Sequence, residues 1–166
     1  MARNLSIAAI MKFIMIDTTI NPERDHRLMR LAIKCARDND TPYGALALDT
    51  NSSRNIVFPN TTSENDRTAH AEMNVLRNLN QLDFEQRENI VIYSTAEPCP
   101  MCMGAILWSG IKHIKFGIRI DQVKQFHPQI EISASQLVSA FSYKCEIEHG
   151  ILEQECLALF NLILDR

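Results

Sequence analysis

The sequence predicts an α/β fold: a three-layer α/β/α sandwich around a five-stranded mixed sheet. Two observations carry this. Strand-length apolar runs alternate with stretches of helical periodicity along the chain, the pattern of a sheet covered by helices. The run "NIVIYST" is apolar almost throughout, as in a strand buried on both faces. A chain of 166 residues suits one domain with a full core, expected over 21–166 after an N-terminal extension at 1–20.

The elements follow in order. "INPERDHRLMRLAIKCARDND" opens as a helix, with Asn21 as cap, Pro22 at the first helical position and Glu23 at the positive end of the dipole. Leu28, Leu31 and Cys35 recur at helical spacing and are expected as its buried stripe, which makes Cys35 a core residue rather than a ligand. "TPYGALALDT" turns at Pro42 and Gly44 into a strand; "DTNSSRN" is a hairpin turn, and "NIVFPN" is a second strand ended by Pro59. "DRTAHAEMNVLRNLNQL" is a helix capped by Asp66 or Thr68, with Ala69, Met73, Leu76 and Leu79 along one side. "CPMCMGAILW" is a helix stopped at Ser109-Gly110, and "KHIKFGI" a strand. A short helix in "ISASQLVSAFS", a strand in "YKCEIEHG" and a closing helix after Gly150 complete the chain.

Composition excludes several classes. The chain is 46% hydrophobic and 22% charged, with a net charge of −3, so no basic footprint for nucleic acid is present overall. The apolar stretch "SIAAIMKFIMI" is too short to span a bilayer and is broken by Lys12. No small-residue cleavage site follows it, so it reads as an extension that packs on the domain or a partner rather than as a signal peptide. Five cysteines, an odd number, point to free or metal-bound thiols in a reducing, cytoplasmic setting.

Cys99 and Cys102 form a C-x-x-C in "EPCPMC". Such a pair can belong to a structural zinc knuckle, a redox dithiol or a catalytic metal. A knuckle needs a second close Cys/His pair, and Cys35, Cys145 and Cys156 are each alone on an element. A dithiol needs no upstream partner. Here His70 and Glu72 form H-x-E at the start of the preceding helix, although His70 alone would read as an ordinary surface or core histidine. H-x-E followed by P-C-x-x-C is the signature of zinc deaminases acting on bases. His70, Cys99 and Cys102 would hold Zn2+ and leave a fourth position open. Helix N-termini at both ligand sets favour the thiolate form. Glu72 would be the general acid–base.

The stretches "PYGALAL", "TAHAEMNVLR" and "EPCPMCMGAILWSGIKHIKFG", with Asn60, resemble the cytidine deaminase-like superfamily over about Asp25 to Asp121. The similarity is nearest to the branch of bacterial guanine deaminases and tRNA-specific adenosine deaminases. It implies the cytidine deaminase-like fold, with the two motif helices side by side on one face of the sheet, and the same roles for His70, Glu72, Cys99 and Cys102. It further implies that Asn60 hydrogen-bonds the ring, although an Asn after Pro59 also suits a plain turn. Backbone near Ala71 would help bind the base. Trp108 stands where that branch has a gating aromatic; as a core or interface residue it would need no such role. Glu131 is the candidate for a second carboxylate, and the usual acidic dipeptide is absent around it.

The resemblance implies a small-molecule nucleobase or nucleoside as substrate, with guanine favoured by "EPCPMC" and Trp108. A tRNA adenosine deaminase is the alternative; the acidic balance, the apolar "CLALFNLILDR" and the segment "IRIDQVKQ" stand against it. Cytosine or cytidine ranks lower. An inactive zinc-stabilised scaffold is the reading outside enzymes, and Glu72 argues against it, since a structural site has no use for that carboxylate. The closing helix is more apolar than one buried stripe requires, so a homodimer is expected.

Overall fold

The computed structural model describes residues 21–164. Five strands form one sheet in the order β2-β1-β3-β4-β5: β1 is Gly44–Asp49, β2 Asn55–Pro59, β3 Ile90–Ala96, β4 His113–Ile118 and β5 Glu146–His149. β1 is antiparallel to β2 and β3, whereas β3, β4 and β5 run parallel. The expected five-stranded mixed sheet is therefore present.

The helices are α1 Pro22–Asp38, α2 Ala71–Arg77, α3 Pro100–Trp108, α4 Ile120–Val123, α5 Ala134–Ala140 and α6 Glu153–Leu164. They divide the core in two. On one face α1 and α6 pack against Leu46, Leu48, Val91 and Tyr93; on the other α2, α3 and α5 pack against Ala45, Ala47, Ile90, Ile92, Ile114 and Phe116. Successive strand residues point to opposite faces, so a strand feeding both cores must be apolar throughout. All seven residues of β3 are buried.

Asn21 caps α1 as expected, its Oδ1 accepting from Arg24 N at 3.1 Å, with Pro22 in the first turn. The buried stripe of α1 differs from expectation. Leu31 is 39% exposed and Cys35 half-buried, while Leu28, Met29, Ala32, Ile33 and Ala36 face the core. The small residues at 32 and 36 decide this, because α1 lies close enough to β1 that a Cβ on Gly44 would meet Ala32 O at 2.3 Å. α2 is also shorter than its periodicity suggested. Its chain leaves helical geometry at Asn78 and tightens into a 3-10 turn over Leu79–Leu82. Gly110 and Gly150 take positive φ (83° and 82°) at the turns where the sequence placed them.

The topology gathers one end of the sheet. β3 ends at Ala96 and leads to α3; β4, its parallel neighbour, ends alongside with Ile118 opposite Ala96. β1 runs the other way, so Tyr43, just before it, comes to the same end, and β2 ends there at Pro59 opposite Gly44. Segments 41–43, 60–70, 97–102 and 119–129 thus converge beyond the carboxyl ends of the parallel strands, where open α/β sheets place their ligand crevice. The N-terminal segment 1–20, its expected packing included, and the last two residues lie outside the described residues.

Candidate zinc and substrate site

His70 is the N-cap of α2 and Cys99 the N-cap of α3, both in extended backbone conformation. Asp66 and Thr68, expected as caps, instead close a turn ahead of the helix, where Asp66 Oδ1 accepts from Thr68 N at 2.9 Å. Neither the His70 nor the Cys99 side chain makes a capping hydrogen bond. They turn towards each other because α2 and α3 pack side by side on one face of the sheet. Cys102, buried in the first turn of α3, completes the group.

The three donor atoms lie 3.5–3.6 Å apart: His70 Nδ1 to Cys99 Sγ 3.6 Å, His70 Nδ1 to Cys102 Sγ 3.5 Å and Sγ to Sγ 3.6 Å. Zinc bond lengths of about 2.3 Å to sulfur and about 2.05 Å to nitrogen, at tetrahedral angles, require separations of about 3.8 and 3.6 Å. The donors thus sit on three corners of a zinc tetrahedron, and the set is chemically the one zinc prefers.

The two thiols share their protons unequally. The hydrogen bond with Cys102 and the nearby His70 pull Cys99 down to about 4 against the opposing effect of burial. Cys102, hydrogen-bonded to Cys99 and itself buried, is pushed far up. The bond to Cys99 raises His70 above its ordinary value against the opposing effect of burial.

Glu72 lies within the first turn of α2 and is 7% exposed. Its Oε1 accepts from Ser94 Oγ at 2.9 Å. Burial pushes its carboxyl up, so it holds a proton more readily than a surface glutamate. His70, Glu72 and Cys99 line one cavity of about 830 Å³ with Tyr43, Asn60, Arg67, Glu97, His127 and Gln129.

Asn60 reaches the cavity, with its Nδ2 donating to Thr62 Oγ1 and its backbone N to Tyr43 O. Ala71 is buried between the lining residues His70 and Glu72. Trp108 and Glu131 are not brought there. Trp108 is 83% exposed at the far end of α3, about 9 Å of helical rise beyond Cys102, and stands edge-on to Phe141. Glu131 is an exposed residue that faces Lys124 at 3.6 Å.

Sequence reasoning missed Ser94, Glu97, Tyr43 and His127. Glu97 is buried and its two oxygens accept from Ile120 N at 2.8 Å and Ala134 N at 2.7 Å, the first residues of α4 and α5. An anion at two helix starts pins the segment after β4 beside Cys99. A glutamate directly before the P-C-x-x-C motif was the available signal.

The zinc-binding region of the cytidine and deoxycytidylate deaminases matches residues 22–118. The chain belongs to that family. This deaminase is 30% identical to the "probable cytosine deaminase" of Schizosaccharomyces pombe, over 81% of the chain and 89% of the relative. It is 30% identical to the tRNA-specific adenosine deaminase of Haemophilus influenzae, over 82% and 81%. A shorter match, 36% over 74 residues, joins it to the guanine deaminase of Bacillus subtilis, covering 44% of the deaminase and 47% of that protein. The guanine deaminase structure from Nitrosomonas europaea superposes with TM-score 0.66 at 20% identity over 89% and 86% of the two chains. A structure solved in complex with 8-azaguanine does so with TM-score 0.72 at 21%, over 84% and 83%. The deaminase is thus a zinc-dependent enzyme with the cytidine deaminase-like fold. Among its described residues, no helix is long and apolar enough to cross a membrane.

Proposed function

We propose that this enzyme hydrolytically deaminates a free nucleobase or nucleoside, with a purine base such as guanine as substrate. The observation that carries this reading is that Glu72 shares one cavity with His70 and Cys99 of the His70–Cys99–Cys102 triad. His70, Cys99 and Cys102 would hold a zinc ion, which would supply the Lewis acidity that acidifies water near neutral pH. A carboxylate oxygen of Glu72 takes one proton from the water and delivers it to the ring nitrogen, then takes the second from the added hydroxyl and delivers it to the departing amine. Water oxygen joins the amino-bearing carbon, the carbon–nitrogen bond breaks and ammonia leaves. Ser94 orients the carboxylate, and its burial matches its affinity for protons to a shuttle.

Asn60 and the backbone at Ala71 are the proposed base contacts; Trp108 and Glu131 are assigned none. Guanine is supported by the shorter but higher-identity match to a guanine deaminase and by the absence of a basic footprint. The longer match to a tRNA-specific adenosine deaminase supports a second reading, adenosine in tRNA. Ammonia release from guanine, cytosine, adenine, guanosine, cytidine and tRNA separates them. Release from guanine is expected; release from tRNA alone overturns the free-base reading, and none from any of them revives the zinc-stabilised scaffold. We further propose a cytoplasmic homodimer, with 21–166 as one domain; light scattering at micromolar concentration tests the assembly, and a monomer refutes it.

A further inference from the structure

Tyr43 Oη and His127 Nδ1 are 2.9 Å apart, and both residues line the cavity that holds Glu72 and Cys99. The two come from distant parts of the chain. Tyr43 precedes β1, and His127 follows α4 in the segment after β4. An aromatic cluster anchors them: Tyr43 meets Phe160 edge-on at 5.2 Å, His127 lies 6.2 Å from the same ring, and Phe126 packs on it at 5.1 Å. Phe160 is 1% exposed on α6. The imidazole is therefore held by a hydrogen bond and by a buried ring, as a preorganised binding group must be.

The tautomer follows from proton counting. Tyr43 keeps its proton, since burial and the charges of Glu72 and Cys99 raise the phenol well above its ordinary value. Among the described residues, His127 Nδ1 is the one hydrogen-bond partner of the phenol oxygen. The phenol O–H is left to donate to His127 Nδ1, which places the imidazole proton on Nε2. Among the described residues, that Nε2–H has no hydrogen-bond partner. A fixed donor without a protein acceptor, in the lining of a substrate cavity, is a group kept for a ligand.

We propose that His127, held by Tyr43, is a specificity-determining contact that donates Nε2–H to the carbonyl oxygen of an amino-oxo nucleobase. The inference rests on the reading that the cavity takes a free base. In guanine and in cytosine the oxo carbon lies one ring atom away from the amino-bearing carbon. Such a ring can present its amino carbon to Glu72 and its oxygen to a separate donor; adenine has no such oxygen.

Two ligands differing in that oxygen test it: 8-azaguanine, which has it, and 2-aminopurine, which lacks it. Both are titrated into the zinc-loaded full chain carrying Glu72→Gln, so that neither is turned over, by calorimetry and by 2-aminopurine fluorescence. His127→Ala is expected to weaken 8-azaguanine about tenfold and 2-aminopurine less than about twofold, the loss of one hydrogen bond. His127→Gln, which keeps an N–H donor, is expected to recover most of the difference. Tyr43→Phe, which frees the imidazole, weakens 8-azaguanine selectively as well. Equal weakening of both ligands by His127→Ala would show a packing role and overturn the proposal. So would unchanged 8-azaguanine binding, or no binding of it to the chain with His127 intact. The free-base reading fails separately, if the unmutated enzyme releases no ammonia from guanine; the His127 comparison is read on binding alone.

Discussion

Ser94 donates a 2.9 Å hydrogen bond to Glu72, from the end of the fully buried central strand to the first turn of α2. A buried carboxylate is thereby held beside the metal-ligating triad. Glu72→Ala is expected to lower kcat by about 10²–10⁴-fold while about one zinc per chain stays bound, as for loss of a general acid–base that is not a ligand. Metal analysis beside kinetics checks this; loss of zinc with activity would make Glu72 a ligand. Ser94→Ala is expected to lower kcat less, with zinc retained.

The same carboxylate costs stability. Its folded-state pKa is raised, chiefly by burial, so the penalty is absent in acid, builds as pH rises past the ordinary carboxylate value and is complete above the raised one. Metal-free Glu72→Gln is therefore expected to be more stable than the metal-free parent at neutral and higher pH by about 0.5–2 kcal/mol. The gain should vanish in acid. Denaturant melts at several pH values, with chelator present, measure it.

Thiol chemistry should divide the five cysteines. In metal-free protein Cys99, held at about 4, is a thiolate across the neutral range, so its alkylation should be nearly independent of pH between roughly 6 and 8. Burial, the leading cause in each case, holds Cys145 near 11, Cys156 near 12 and Cys35 above its ordinary value, so these react slowly. Zinc should protect Cys99. Peptide mapping after iodoacetamide treatment reads all of them together.

Gly117 should resist substitution. A Cβ there would meet Cys156 Sγ at 2.3 Å and Thr95 O at 2.7 Å, the contact of β4 with α6. Gly117→Ala is expected to cost about 1–3 kcal/mol in thermal unfolding. Cys156→Ala should relieve only part of this, because the Thr95 oxygen is backbone and cannot retreat.

Asp25 is a third point of stress. It is 1% exposed, accepting from Tyr93 Oη at 2.6 Å and pairing with Lys115 Nζ at 2.6 Å. Burial opposes the charge of Lys115, and Asp25 and Glu148 outweigh it to hold the amine above its ordinary value. Asp25→Ala leaves that cation paired with Glu148 alone, at 2.7 Å, and Tyr93 Oη without its acceptor, and should cost about 1–3 kcal/mol. Circular dichroism melts would show it, and Asp25→Ala with Lys115→Met should recover part of the loss.

The sequence by itself determined the order of the strands and of every helix but the short α4, the apolar centre of β3, the cap of α1 and the donor set His70, Cys99 and Cys102. Each rests on local chemistry or on a spacing within a few residues: a cap, a periodicity, a C-x-x-C. Only the tertiary structure decided which face of α1 is buried, where close packing on Gly44 selects Ala32 and Ala36 over Leu31. It alone paired Ser94 with Glu72, set Glu97 against the starts of α4 and α5, and brought Tyr43 to His127, 84 residues away. It also carried Trp108 and Glu131 away from the cavity, since one points off the far end of its helix and the other lies on an exposed loop. Ligand spacing is written along a chain, but the lining of a cavity depends on which strand ends meet, and that is set by sheet order and direction.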